Sequence, residues 1–166
     1  MSPEDVRRDL EGMRVRPAVA DDSAAAAAVV RAVYEEFGFT WDEAGYHADL
    51  RDVEESYAAF FVAESDGRIV GTAGLTSHGS LERLYVLTEA RGSGAGSALL
   101  AAVVAEARRR GHVQLEIWSD KRFTDAHRLY ERRGARVVGE RVHDDPDASH
   151  EWGLVLDLTD SPPKET

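Results

Sequence analysis

The chain has 166 residues, 43% of them hydrophobic, and carries a formal net charge of −11 with a pI near 5.0. That length suits one domain with its own core, and so acidic a balance argues against nucleic-acid binding, which needs a basic face for phosphates. The absence of cysteine excludes disulfides, thiolate metal sites and a thiol nucleophile.

The opening Met1-Ser2-Pro3-Glu4-Asp5 has no basic region leading into an apolar core, so no export signal is expected. Residues 1–13 read as a flexible polar segment, with Val15 between Arg14 and Arg16 starting a short strand that ends at Pro17. Asp21-Asp22-Ser23 offers N-cap chemistry for a helix over Ala24 to Phe37, stopped by Gly38. Its run Ala24 to Val30 is the longest apolar stretch and far too short to span a bilayer, so a cytoplasmic protein without a membrane partner is expected. Residues 42–57 read as a second helical stretch, with Tyr46, Leu50, Val53 and Tyr57 roughly one or two turns apart among six acids.

Ala59 to Glu64 and Arg68 to Thr76 form a hairpin around Ser65-Asp66-Gly67, and Ser80 to Leu87 is a third strand in series. Gly94 to Arg110 predicts the best helix, with Leu99, Leu100, Val103 and Val104 on one face. His112 to Trp118 alternates as a strand, and Phe123 to Arg133 predicts another helix, stopped by Gly134. Arg136 to Val142 and Glu151 to Leu158 close the pattern, and residues 160–166 read as a disordered tail. Consecutive strands followed by alternating units predict a single α/β domain over 14–159, with a mixed sheet of about six or seven strands flanked by about four helices. The strands before and after the long helix should be parallel neighbours.

Arg91-Gly92-Ser93-Gly94-Ala95-Gly96-Ser97 lies between a strand and that long helix. Glycines let the backbone approach a ligand closely, and the helix start presents free amides and a positive dipole end, which together hold phosphate. No lysine follows as in a P-loop, and the spacing of Gly92, Gly94 and Gly96 differs from a dinucleotide fingerprint. A plain glycine turn with Ser93 as N-cap remains the other reading of this segment.

The pattern Arg91-x-x-Gly94-x-Gly96 after Leu84-Tyr85-Val86 resembles the acetyl-CoA loop of the GNAT (GCN5-related) N-acetyltransferase superfamily. Ala126-His127-Arg128-Leu129-Tyr130-Glu131-Arg132-Arg133-Gly134 is similar to a second family segment, Ala-x-x-Leu-Tyr-Glu-x-x-Gly. Phe123 stands where an Asn is often found, and Ala135 where a Phe is usual. The resemblance covers about Arg14 to Leu158 and implies a GNAT-like fold and acetyl transfer from the co-substrate acetyl-CoA to a primary amine.

The resemblance also implies roles. The Val86 amide would stabilise the oxyanion formed when an amine attacks the thioester. Leu84 and Val86, flanking Tyr85, would hold the pantetheine arm, and the amides of Gly92, Ser93, Gly94, Ala95, Gly96 and Ser97 the pyrophosphate. Arg91 would pair with a phosphate or cap the strand, and Phe123 and His127 would lie near the coenzyme. Tyr130 would be the general acid for the leaving thiolate; by spacing alone it would be a core aromatic. Many relatives carry a glutamate at the position of Ser80, so Glu82, two residues on, is the candidate base, with Glu116 as a weaker one. His78, in the loop before the loop-bearing strand, has facing substrate as its functional reading and solvent as the other, and the other histidines read as surface or packing residues. No short His spacing with acid support suggests a metal.

Residues 34–57 and the loops near His78 and Pro146 are expected to choose the acceptor. A small molecule such as an amino acid, polyamine or amine antibiotic is the expected acceptor, with a protein N-terminus or lysine as the alternative. A non-catalytic coenzyme-binding sensor, or a nucleotide module without CoA, is the rival class. A homodimer through an exposed closing strand is a further expectation.

Overall fold

Alternating and helical patterns resolve into seven strands and four helices over residues 12–159, which the computed structural model describes. In chain order these are β1 (Met13–Pro17), α1 (Ser23–Phe37), α2 (Val53–Ser56), β2 (Ala59–Ser65), β3 (Arg68–Leu75) and β4 (Ser80–Val86). There follow α3 (Ala95–Arg109), β5 (Gln114–Asp120), α4 (Thr124–Arg132), β6 (Arg136–Val142) and β7 (His150–Asp157). β1 opens at Met13, one residue before the strand start expected at Arg14, and the tail expected over 160–166 lies outside the described residues.

One seven-stranded sheet runs β1-β2-β3-β4-β5-β7-β6. Every pairing is antiparallel except β4 with β5, which are parallel neighbours across the α3 crossover, as expected. β6 is an edge strand carrying exposed Val137, Val138 and Val142, and the pairing of two copies expected from the closing strands would use this edge.

Leu99, Leu100, Val103 and Val104 are buried against the sheet, where each contributes roughly 1.5–3 kcal/mol of transfer free energy. They share one core with Ala63, Ala73, Leu115, Ile117 and Tyr130. On the opposite sheet face α1 lays Ala26, Val30 and Tyr34 against Phe60 and Val62.

The expected helix over 42–57 is not continuous. Asp42 accepts from the backbone amides of Gly45 and Tyr46, forming a turn, and a short 3₁₀ turn spans Ala48–Arg51. Asp52 then caps α2 by accepting from the Glu55 amide at 3.1 Å. Asp side chains that bond nearby amides compete with helix continuation, which is why the acidic spacing produced turns. This coil folds an aromatic layer over α1. His47 is 1% exposed, stacks on Trp41 with ring centroids 4.2 Å apart and meets Tyr34 edge-on at 4.5 Å. Its Nδ1 accepts from the Asp42 amide at 3.1 Å, and among the described residues its Nε2 has no partner.

Burial, with nearby Arg83 adding to it, pushes the His47 pKa down from 6.5 to about 4. The unfolded chain therefore binds more protons than the folded one between those values, so stability falls as pH drops from 6.5 towards 4. At 1.36 kcal/mol per pH unit the loss is about 3 kcal/mol; burial lowers His127 in the same direction. Urea denaturation should show this slope, and a His47→Gln variant should flatten it; an unchanged slope would place the titration elsewhere.

Candidate active site

β4 and β5 pair only at Ser80–Glu116 and Leu81–Ile117, then part. A bulge opens them. Between the β3 pairings of Glu82 with Gly74 and of Tyr85 with Thr72, β4 carries two residues, Arg83 and Leu84, against one on β3, Ala73. Arg83 takes φ +54°, an uncommon conformation for a residue with a side chain. Two contacts hold it. The buried Thr72 hydroxyl donates to the Arg83 carbonyl at 2.7 Å, and the guanidinium grips Asp49 through Nε at 3.1 Å and Nη2 at 2.9 Å. Nη2 also donates to the Tyr46 carbonyl at 2.8 Å, and the Tyr57 hydroxyl donates to Asp49. The irregular 42–57 segment is thus tied to the strand that it helps to distort.

Beyond the bulge, the Leu87 amide donates to the Val70 carbonyl at 2.9 Å, on the β3 side. Strand alternation turns the polar groups of the preceding residue, Val86, the other way, into the gap. The Val86 carbonyl there accepts from Arg91 Nε at 3.2 Å. The two terminal nitrogens of Arg91 each lie 2.6 Å from a Glu36 carboxylate oxygen. Of its two expected roles, the strand-end cap is the one its contacts describe.

The glycine loop sits at the mouth of the gap. Gly92 and Gly94 adopt φ +81° and +90°, backbone that a side chain would strain. Gly94, not Ser93, is the residue before α3, though the Ser93 hydroxyl does accept from the Ala95 amide at 3.3 Å. Among the described residues the amides of Gly92, Gly94, Gly96 and Ser97 have no protein acceptor.

A cavity of about 810 Å³ fills the gap and continues to the loop. It brings together Glu82, Leu84, Tyr85, Val86, Phe123 and Tyr130 with Arg91 and five of the six loop residues, Ser93 alone lying outside it. Tyr130 is 4% exposed, and burial alone raises its phenol well above the ordinary value, so the hydroxyl keeps its proton at neutral pH. The Glu82 side chain opens into the cavity, yet surrounding protein raises its carboxyl pKa, helped by Asp49 and Glu151 and opposed chiefly by Arg83. The Phe123 ring packs on Phe37, Phe39 and Tyr85, making it part of the aromatic wall.

Other expected residues lie elsewhere. His127 is buried with Nε2 at 3.1 Å from the Ser119 hydroxyl and is not among the cavity-lining residues. Glu116 accepts from the Trp118 indole at 2.8 Å outside the cavity, and His78 is exposed, also outside it. Ser80, in the position of the family glutamate, is buried. His143, expected at the surface or in packing, lines the cavity, as do Arg83, Trp118, Arg141 and Glu151, which no motif had singled out. Only the paired register of β5, β7 and β6 and, for Arg83, the bulge between β3 and β4 could have revealed them, and both are tertiary information.

The Acetyltransferase (GNAT) family profile matches residues 26–135. The chain belongs to the GNAT acetyltransferase family. Rat N-acetyltransferase 8 is 32% identical over 112 residues, 59% of this chain and 50% of that protein. The chain therefore spans about half the length of this relative. An Escherichia coli K12 protein, the uncharacterized N-acetyltransferase YjgM, is 31% identical over 127 residues, covering 68% of this chain and 75% of its own length. A Salmonella typhimurium protein solved with its cofactor acetyl-CoA superposes with a TM-score of 0.69 at 21% identity, over 93% of this chain and 99% of that one. Among the described residues no cluster of three or more His, Asp or Glu could hold a metal ion, and no helix is long and apolar enough to cross a membrane.

Removing Asp49 would leave the Arg83 guanidinium, whose side chain is 8% accessible, buried without its counter-charge. Breaking one partner of such a pair costs about 3–5 kcal/mol. Asp49→Ala should lower the unfolding free energy from urea denaturation by that order; an unchanged value would show that the bulge is held by Thr72 alone.

Proposed function

We propose that this chain transfers the acetyl group of acetyl-CoA to a primary amine of a small molecule. The observation that carries this is the coincidence of three features at one opening: unpaired loop amides, a Val86 amide turned into the gap, and a protonated Tyr130. Family membership and the acetyl-CoA reported with the Salmonella protein support it.

The loop supplies a good fit for a diphosphate. The amides of Gly92, Gly94, Gly96 and Ser97 lack protein acceptors, two of the glycines hold conformations that bring backbone close to a ligand, and α3 adds its dipole end. When bound, acetyl-CoA supplies a thioester whose acyl carbon forms a bond to the amine nitrogen as its bond to sulfur breaks. Leu84 and Val86 would hold the pantetheine arm by their free backbone groups. The Val86 N–H would donate to the acyl oxygen as it gains charge, in a site already organised for that charge. Tyr130 would give its hydroxyl proton to the sulfur, and Glu82, directly or through a water, would take the proton the nitrogen loses. Protons and charge then balance across the product amide and thiol.

A carboxyl whose pKa is raised by the protein around it retains a proton further up the pH scale, and only its ionised form is a base. Activity should therefore rise with pH as Glu82 ionises, and Glu82→Gln should lower kcat by about 10²–10⁴-fold and remove that limb. Tyr130→Phe should lower kcat by a similar order while calorimetric CoA binding persists. Full turnover in both variants would remove these two groups from the chemistry, and lost CoA binding in Tyr130→Phe would make its role one of packing.

A further inference from the structure

Of the six arginines lining the cavity, Arg128 and Arg132 are exposed on α4, and Arg83, Arg91 and Arg122 each spend both Nε and a terminal nitrogen on protein acceptors. Arg141 differs. Its Nε donates to Glu151 at 2.7 Å, while among the described residues neither terminal nitrogen has a protein acceptor. Its guanidinium carbon lies 4.2 Å from the centroid of the Trp118 ring, so the fork is supported on one face and tethered at one end.

The sheet builds this support. Trp118 on β5 pairs with Gly153 on β7, and a Cβ at Gly153 would fall 2.7 Å from the indole carbons. The missing side chain lets the indole lie across β7 towards Arg141 on β6. Glu151, opposite both Asp120 on β5 and Arg141 on β6, anchors the guanidinium from β7. Glu82 and Trp118 each follow the last parallel pair, Leu81–Ile117, and both line the cavity with Arg141, so proton acceptor, indole and cation share one space.

Building on the function proposed above, we infer that the acceptor is an amine that also carries a carboxylate, received by the two free terminal nitrogens of Arg141. A planar carboxylate matches the free edge of a guanidinium through two parallel N–H···O bonds, a match neither an amide nor an ammonium can make. Glu151 and Glu82 repel a carboxylate placed elsewhere in the cavity and attract the ammonium end, so the charges set one orientation. Asp145 is tied to the Ser149 amide and hydroxyl on the loop after β6 and extends the acidic side. His143 approaches Glu151 with Nδ1 3.9 Å from Oε1, beside the same arginine.

The test compares the twenty α-amino acids with their carboxamides, measuring thiol release from acetyl-CoA in the native protein and in Arg141→Gln. Because an amide also changes the amine's basicity, the decisive quantity is the ratio of kcat/KM for each acid over its amide, compared between the two proteins. That ratio should fall by about tenfold or more in Arg141→Gln, and mostly through KM. A ratio that Arg141→Gln leaves unchanged overturns the inference while leaving acetyl transfer intact. Calorimetry of the same acids in the presence of CoA separates the remaining cases. Binding lost in Arg141→Gln without turnover in either protein would support carboxylate recognition and refute the catalytic proposal. No binding and no turnover for any acid would refute both.

Discussion

The parting of β4 from β5 is the constraint on which the site depends. A parallel pair normally hydrogen-bonds along its length, and backbone groups left unpaired in a protein interior are costly. Here the pairing ends after two residues because Arg83 inserts an extra position into β4, in a conformation that favours glycine. That strain persists because the surroundings over-determine it: Thr72 holds the carbonyl while Asp49 and the Tyr46 carbonyl hold the guanidinium. The unpaired strand edge, the cavity and the approach to Tyr130 all follow from this one residue.

Around the gap, charge and aromatic surface are divided by element. The α1 side and the coil after it supply rings: Tyr34, Phe37, Phe39 and Tyr46 line the cavity, and Phe123 from before α4 completes that wall. The C-terminal strands supply a separate charged face built on Arg141 and Glu151. The loop between β6 and β7 reaches back to close the ring, because Asp147 accepts from both the Thr40 amide and its hydroxyl, at 2.8 and 2.7 Å. Thus the coil that diverges from regular structure is pinned from both sides.

Strands and helices with strong periodicity were legible. β6 matches its expected span residue for residue, and α1, α3 and α4 lie within about a residue of theirs, since apolar spacing and stop glycines decide them locally. The glycine loop and Tyr130 were legible through motif resemblance, and they meet at one cavity. The 42–57 stretch misled because its apolar spacing looked helical while Asp42 and Asp52 bonded backbone amides and broke it. Arg83, Trp118, Arg141 and Glu151 carried no local signal. Their meaning lies in a bulge and in a three-strand register, where β5 and β7 pair residues more than 30 positions apart.

All the proposed chemistry requires that the loop from Gly92 to Ser97 receive the coenzyme's diphosphate at the opened strand edge. Titration calorimetry of CoA, with NAD and ATP as parallel ligands, addresses this directly, using Gly94→Val to force a side chain onto a φ of +90°. Saturable one-to-one binding of CoA alone, abolished in Gly94→Val while the thermal unfolding transition remains cooperative, is the expected result. No heat with CoA, or equal heat with all three ligands, would contradict it.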